Sequence, residues 1–168
     1  MINLEDTQAE LFIEALKRGQ TISFIALGGS MRPWIPTRSR VTVEAIHPSE
    51  LRWGEVALAV IPPLLPPSQD RSEGPLLRAH SWVLHRIITN DRQAKLIHTM
   101  GDRLPLPDPP RPYPQVLGVL SHIETEDGRA YRVSPRGLIF RVLGILTIQF
   151  SMRFQGVRRV LKGSQRSL

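Results

Sequence analysis

The chain is divided into short runs of β-forming residues, separated by segments rich in turn residues and proline. Such runs are typical of strands, and the proline-rich segments between them cannot continue a strand or a helix. The pattern predicts a mainly antiparallel β fold rather than alternating strands and helices. The predicted strands cover residues 22–27, 40–46, 55–61, 82–88, 94–99 and 116–124, with a further one over 130–133.

Two segments are especially rich in proline. Residues 62–81 hold five prolines and residues 105–114 hold six. The first segment predicts a long exposed loop, for which a functional lid and a mobile insertion are equally good interpretations. The second must run extended, because proline fixes φ and lacks a backbone N–H, and it holds Asp108 on a stiff stretch of chain.

The N-terminal residues 5–18 predict a short amphipathic helix that packs on the core. Its apolar positions recur at helical spacing, and Gly19 is suited to end it. No apolar stretch accompanies Glu5 and Asp6, so we expect neither a signal peptide nor a transmembrane anchor here. The apolar positions are Leu11, Phe12, Ala15 and Leu16.

Length and composition are those of one folded domain. The 168 residues are 41% hydrophobic and include no cysteine, so neither disulfides nor thiolate metal sites can hold the fold together. We expect a single domain over residues 1–168. It would consist of a β core over 20–134 and a basic C-terminal helix and tail over 135–168.

The positive charge lies at the C-terminal end. The formal net charge is +7, but up to Asp127 there are 13 Lys and Arg against 15 Asp and Glu. The residues after Asp127 include 9 Lys and Arg and no acid. This distribution argues against a basic nucleic-acid face on the body, and we expect no nucleic-acid partner.

Residues 138–162 predict a basic amphipathic helix. Its uninterrupted apolar run is too short to span a bilayer, which requires roughly 20 consecutive apolar residues. Three partners remain open for it: a membrane surface, a groove on another protein, or the chain's own core. The apolar band consists of Ile139, Val142, Leu143, Leu146, Phe150, Phe154, Val157, Val160 and Leu161.

Residues 28–33, Gly-Gly-Ser-Met-Arg-Pro, form the most unusual turn of the chain. Gly28 and Gly29 permit a sharp bend, so that Ser30 can sit exposed between a strand and an extended segment. Pro33 then fixes the direction in which the chain leaves. Ser30 is therefore a candidate nucleophile.

A serine hydroxyl is a weak nucleophile until an imidazole takes its proton and a carboxylate orients that imidazole. Of the five histidines, only His85 lies in the middle of an apolar strand. Alternation places His85 on one face of that strand and Arg86 on the other. Two carboxylates, Asp102 and Asp108, follow in and after a glycine turn. The chain thus carries serine, histidine and aspartate in that order.

Four motifs together resemble the signal peptidase I family of serine peptidases. They are Gly-Ser-Met-x-Pro at residues 29–33, Trp-Gly-Glu-Val at 53–56, Leu-His-Arg-Ile at 84–87, and Gly-Asp at 101–102 with a second Asp six positions on. The resemblance covers about residues 27–123. It is to the branch that uses histidine where bacterial enzymes use lysine, and to short soluble bacterial members of the wider signal peptidase and repressor-peptidase group.

This resemblance implies a mostly β catalytic fold that cleaves peptide bonds without a metal or other cofactor. It implies Ser30 as the nucleophile, His85 as the general base and Asp108 as the residue that orients His85. Asp102 would shape the site, and Arg86 would pair with a carboxylate on the opposite face of the strand.

The remaining supporting residues would build the turns around the nucleophile. Met31 would pack near the site and Pro33 would fix the turn. Gly28, Gly29 and Gly101 belong to the glycine turns themselves.

The chain departs from the family pattern in three places. Gly28 stands where the family usually has a second serine whose hydroxyl helps to stabilise the oxyanion, so the oxyanion hole would rely on backbone N–H groups, notably that of Ser30. Residues 38–40, Arg-Ser-Arg, replace the usual Gly-Asp before the next strand. The family's N-terminal membrane anchor has no counterpart.

The sequence therefore predicts a serine endopeptidase that cleaves a peptide or a pro or leader segment. The expected location is the cytoplasm, with peripheral contact at a membrane through residues 138–162. Two alternatives stay open: a self-cleaving regulator of the repressor type, which would use a lysine such as Lys95 as base, and a catalytically inert peptide-binding module of the same fold.

Overall fold

The computed structural model describes residues 6–61, 81–133 and 146. One α-helix, α1, spans Asp6–Lys17, close to the predicted bounds. Short 3-10 helices lie at Pro48–Glu50 and Tyr113–Gln115. The strands are β1 Ile22–Ala26, β2 Ser39–Glu44, β3 Val56–Ile61, β4 Ser81–Asp91, β5 Leu96–Met100, β6 Arg111–Pro112, β7 Val116–Glu124 and β8 Ala130–Arg132.

In the described ranges the strands form one sheet, in the order β1-β2-β7-β3-β4-β5-β6, with β8 also paired to β7. Each of the recorded pairings is antiparallel. Strand β7 is central: β2 lies along one edge, and the other edge is shared by β3 at Val116–Val119 and by β8 at His122–Glu124. The prediction of a mainly antiparallel β fold is confirmed.

Strand β3 explains how the core is arranged. Its alternate residues Val56, Leu58 and Val60 pack into one apolar cluster, and Ala57 and Ala59 pack into another on the opposite face. A strand that is buried on both faces must be apolar at every position, which is why residues 56–61 read as a continuous apolar run.

Helix α1 covers the larger cluster, as the sequence predicts. Leu16 is buried there, and the Phe12 ring lies 6.4 Å from the ring of Phe24 and 6.1 Å from that of Trp82. The Trp82 contact is edge-on, a favourable geometry for two aromatic rings. Because Trp82 belongs to β4, the helix is fixed to the strand that carries His85.

The structure corrects the strand predictions at two places on one edge of the sheet. Strand β6 was not predicted, because its two residues lie in the proline-rich stretch; an edge strand tolerates proline, since only one side needs hydrogen bonds. The fifth predicted strand begins late, at Leu96. Lys95, placed in that strand by the sequence, lies instead in the preceding turn with a positive φ of 55°.

Two sequence predictions fall outside the described residues. They are the exposed loop over residues 62–80 and the C-terminal helix over 138–162, of which only Leu146 is described; it is helical and 54% exposed. Within the ranges that the structure describes, no helix is long and apolar enough to cross a membrane.

Gly118 allows β7 to pass close to β2. A Cβ at this position would lie 2.5 Å from the carbonyl oxygen of Glu44 and 2.7 Å from a methyl carbon of Val43. We therefore predict that Gly118→Ala lowers the free energy of unfolding by about 1–3 kcal/mol, the usual cost of overpacking, as measured by urea denaturation. Gly29→Ala is the control, because its Cβ would meet no atom closer than 3.6 Å. Equal stability of Gly118→Ala and wild type would contradict the packing described.

Candidate active site

Ser30 lies in the turn that follows β1, and this turn is hydrogen-bonded to a second turn, at residues 101–103. The backbone N–H of Arg103 donates to the carbonyl oxygen of Ser30 at 2.8 Å. A Cβ on Gly101 would lie 3.0 Å from the Cβ of Ser30 and 2.9 Å from Leu104, so a larger residue here would have to displace the Leu104 side chain and press on Ser30. The Gly101 turn therefore fixes the backbone that presents Ser30.

His85 joins Ser30 to Asp108. Its Nε2 lies 3.0 Å from Oγ of Ser30, and its Nδ1 lies 2.6 Å from Oδ2 of Asp108. The imidazole is 5% exposed, so water competes little for either bond. With Nδ1 donating to the carboxylate, Nε2 can accept the serine proton. The three residues predicted as catalytic are thus brought together in a hydrogen-bonded chain.

The carboxylate of Asp108 is held by β5. The Thr99 hydroxyl donates to Oδ2 of Asp108 at 2.6 Å, and the Asp108 backbone N–H donates to the Thr99 carbonyl oxygen at 2.8 Å. Burial by itself raises the pKa of Asp108. The hydrogen bond and charge of His85, then the Thr99 hydroxyl and the charge of Arg111, outweigh it, so that the pKa lies below its ordinary value of 3.8. Asp108 therefore stays ionised beside His85.

Thr99 and Arg111 are not evident as site residues from the sequence. The only local signal is that Thr99 lies two residues from Ile97, on the same face of β5, and two residues before Gly101. That signal places Thr99 on a face of β5 but not beside Asp108. The role of each residue depends on strand pairings that a single sequence does not display.

Arg86 and Asp102 form a buried ion pair. The guanidinium donates to both carboxylate oxygens, at 2.7 and 2.6 Å, and also to the carbonyl oxygen of Gly54 at 2.8 Å. Both side chains are fully buried. Burial raises the pKa of Asp102, against the hydrogen bonds and charge of Arg86. The predicted pairing of Arg86 with a carboxylate is confirmed. Because Asp102 lies between Gly101 and Arg103, the pair anchors the turn that supports Ser30.

An apolar cleft of about 210 Å³ opens beside Ser30 and His85. Met31 is buried to 4% exposure and lines the cleft, in agreement with its predicted packing near the site. A cleft of this kind can receive a side chain or a short stretch of peptide next to the serine hydroxyl. The other lining residues are Ala26, Gly28, Ile35, Trp82, Val83, Leu84 and Leu104.

Two positions at which the chain departs from the signal peptidase I pattern that it resembles, Gly28 and Arg38, have local contacts in the structure. At Gly28 there is no side chain, and the Thr37 hydroxyl lies 3.5 Å from the Gly28 carbonyl oxygen. Arg38, the first of the three residues that replace the Gly-Asp of the resembled pattern, adopts a positive φ of 67°, which glycine would favour. Its backbone N–H donates to the Ala26 carbonyl oxygen at 2.7 Å, so the chain returns to β1 despite the substitution.

Comparisons of the chain with protein-family models, with curated proteins and with solved structures find no match. Across residues 6–61 and 81–133, no three His, Cys, Asp or Glu side chains are grouped as metal ligands would be. The function must therefore be inferred from the geometry of the Ser30 site.

The buried ion pair generates a stability prediction. Asp102→Asn should lower the free energy of unfolding by about 3–5 kcal/mol, because it leaves the Arg86 cation buried without a counter-charge. The double variant Arg86→Met/Asp102→Leu should recover most of this loss, since it removes both charges. Urea denaturation measures both effects. The control is Glu124→Gln, which breaks an exposed pair with Arg40 and should change stability by less than about 1 kcal/mol.

A double variant as unstable as Asp102→Asn would contradict this account. It would mean that the pair contributes through its shape and hydrogen bonds rather than through mutual neutralisation of charge.

The lowered pKa of Asp108 generates a pH prediction. An acid whose pKa is lower in the folded than in the unfolded state adds stability above its unfolded pKa, and that stability is lost as pH falls through the folded-state pKa. The stability advantage of wild type over Asp108→Asn should therefore be greatest near neutral pH and should shrink below the ordinary value of 3.8. Denaturation at a series of pH values measures it. A difference that stays constant into acid would show that ionisation of Asp108 contributes nothing.

Proposed function

We propose that this protein is a serine endopeptidase, similar to signal peptidase I in catalytic fold and mechanism, that cleaves a peptide or a pro or leader segment. The observation that carries the proposal is the hydrogen-bonded order Ser30, His85, Asp108 beside an apolar cleft. Nucleophile and base are 3.0 Å apart, and the base is oriented by a third group, which is the arrangement that activates a serine hydroxyl.

Acyl transfer follows from this geometry. Oγ of Ser30 attacks the scissile carbonyl carbon as Nε2 of His85 takes the serine proton, and Asp108 stabilises the imidazolium that forms. Nε2 then gives the proton to the leaving amine, which releases the first product and leaves an ester on Ser30. Water, deprotonated by the same nitrogen, hydrolyses the ester and releases the second product as a carboxylic acid.

The developing oxyanion needs donors near Ser30. With no side chain at Gly28, the backbone N–H of Ser30 is the donor that the turn offers. The Gly101 turn holds this segment through the bond from the Arg103 N–H to the Ser30 carbonyl oxygen. Such preorganisation of backbone donors is worth about 10²–10³ in rate for each donor.

The position of Lys95 argues against the repressor-type alternative. Lys95 is exposed in the turn between β4 and β5, next to the pairing of Asp91 with Leu96. The other end of that hairpin, where Arg86 pairs with Met100, lies beside the serine site. The base position next to Ser30 is occupied by His85. The other alternative, a catalytically inert peptide-binding module, would use the same cleft, and it differs from the proposed enzyme only in that Ser30 would not react.

The expected partner is a peptide or protein substrate bound in the cleft. Contact of residues 138–162 with a membrane surface, and a cytoplasmic or peripheral location, stay predictions.

A fluorophosphonate probe tests the hypothesis that the protein is a serine peptidase, because the probe labels only a serine that a base has activated. We predict that wild type is labelled at Ser30, located by peptide mass spectrometry, and that Ser30→Ala and His85→Ala are not labelled but keep the wild-type fold by circular dichroism. Asp108→Asn should slow labelling strongly, up to about 10⁴-fold, by disturbing the imidazole tautomer.

The chain offers a matched control in Ser49, whose hydroxyl lies 2.6 Å from Nδ1 of His47 at an exposed position. This second serine–histidine pair has no carboxylate bonded to the imidazole among the described residues. Ser49 should stay unlabelled, and Ser49→Ala should react like wild type. Folded wild type that is not labelled at Ser30, or Ser30→Ala that is labelled as fast as wild type, would overturn the proposed function.

A further inference from the structure

Arg111 is a buried cation. Its side chain belongs to the two-residue strand β6 and is only 7% exposed. Among the described residues, its Nε makes no hydrogen bond and no carboxylate lies within 4.0 Å of the guanidinium. Burying a charge without a direct partner costs free energy, so such a position calls for a compensating interaction.

The register of the sheet brings Arg111 next to the Asp108 site. Arg111 pairs with Ile97 of β5, and residues opposite each other in antiparallel strands project from the same face. Thr99, two residues along β5, projects from that face too, and its hydroxyl donates to Asp108. Arg111 and Asp108 therefore flank the same face of one strand.

The chain between the two residues is stiff. Asp108 and Arg111 are separated only by Pro109 and Pro110, each of which has a fixed φ. One end of the segment is held by the bond from the Asp108 N–H to the Thr99 carbonyl oxygen. The other end is held by the bond from the Tyr113 N–H to the Lys95 carbonyl oxygen. The backbone positions of Asp108 and Arg111 relative to each other are thus held by hydrogen bonds at both ends of this segment.

We propose that Arg111 is a positioning residue of the Ser30 site, whose buried cation keeps the Asp108 carboxylate charged and ready to orient His85. The charged groups that act on Asp108 in the described structure are His85 from β4 and Arg111 from β6, and the Thr99 hydroxyl from β5 adds a hydrogen bond. The charges of Arg86 and His85 act in turn on Asp102, which is bonded to Arg86. The Arg111 charge is one of the causes that lower the pKa of Asp108.

A guanidinium does not lose its proton in proteins, so Arg111 supplies a constant cation. A constant cation stabilises the carboxylate both while the imidazole is neutral and while it is protonated. It also opposes protonation of the His85–Asp108 pair as a whole. Removing the cation should therefore raise the pH at which the Asp108 carboxylate, and with it the hydrogen-bonded pair, takes up a proton.

The test compares Arg111→Met and Arg111→Gln, which remove the charge and keep much of the length, with Arg111→Lys, which keeps the charge. Carbon-13 NMR of the aspartate carboxyl groups, with the Asp108 signal assigned by its absence in Asp108→Asn, follows the titration of Asp108 directly. The midpoint should move to higher pH in the Met and Gln variants and stay near the wild-type value in the Lys variant. The control is Arg40→Met, which removes an exposed cation on β2, four strands away from β5 in the sheet order.

A kinetic arm rests on the proposed function. The rate of fluorophosphonate labelling at Ser30, measured against pH, should lose its acid-side activity at higher pH in Arg111→Met than in wild type, with the profile restored in Arg111→Lys. A purely structural role for Arg111 would lower the rate equally at all pH values.

The two arms fail in different ways. An Asp108 midpoint that is the same in wild type, Arg111→Met and Arg111→Gln would overturn the role of Arg111, whatever the activity. A midpoint that moves as expected in a protein that the probe never labels would support the charge coupling and overturn the peptidase instead. If Arg111→Met does not fold, the Gln and Lys variants give the same comparison.

Discussion

The ion pair of Arg86 and Asp102 connects the parts of the structure that must act together. Arg86 belongs to β4, its guanidinium also binds the carbonyl oxygen of Gly54, and Asp102 belongs to the turn that supports Ser30. Two buried charges cost free energy unless they are paired and hydrogen-bonded, and here the bidentate contact and the Gly54 bond offset part of that cost. An apolar pair could match its stability, but it could not fix the angle between strand and turn as narrowly as two parallel hydrogen bonds do.

Side chains of β4 alternate between the two faces of the sheet, so a structural residue and a proposed catalytic residue are adjacent in sequence but lie on opposite faces. Arg86 projects from one face and anchors the turn, while His85 projects from the other and meets Ser30 and Asp108. Neighbours in sequence thus act on the same turn and loop from opposite sides of the sheet. The arrangement makes the position of the imidazole depend on the ion pair, because any rotation of β4 would move both residues.

The proline-rich stretch completes the site at the edge of the sheet. Its residues cannot form a long strand, yet they supply the Asp108 carboxylate, the buried Arg111 and the short strand β6. Proline is suited to this task because it restricts the chain without requiring hydrogen-bond partners of its own. The carboxylate is consequently held by rigid chain, by Thr99 and by His85, rather than by burial in a core.

In the sequence by itself, periodicity and turn residues were enough to predict the helix, every described strand except β6, and the opposite faces of His85 and Arg86, because these patterns act over a few neighbouring positions. The sequence also singled out Ser30, since two glycines and a proline constrain that turn locally. It did not choose between Asp102 and Asp108 without the family resemblance, and it did not reveal Thr99 or Arg111. Those roles depend on how β4, β5 and β6 are paired, including the irregular register between Ile87 and Thr89. Strand register is set by packing between segments distant in sequence, so only the tertiary structure decided which carboxylate meets the histidine and which cation lies behind it.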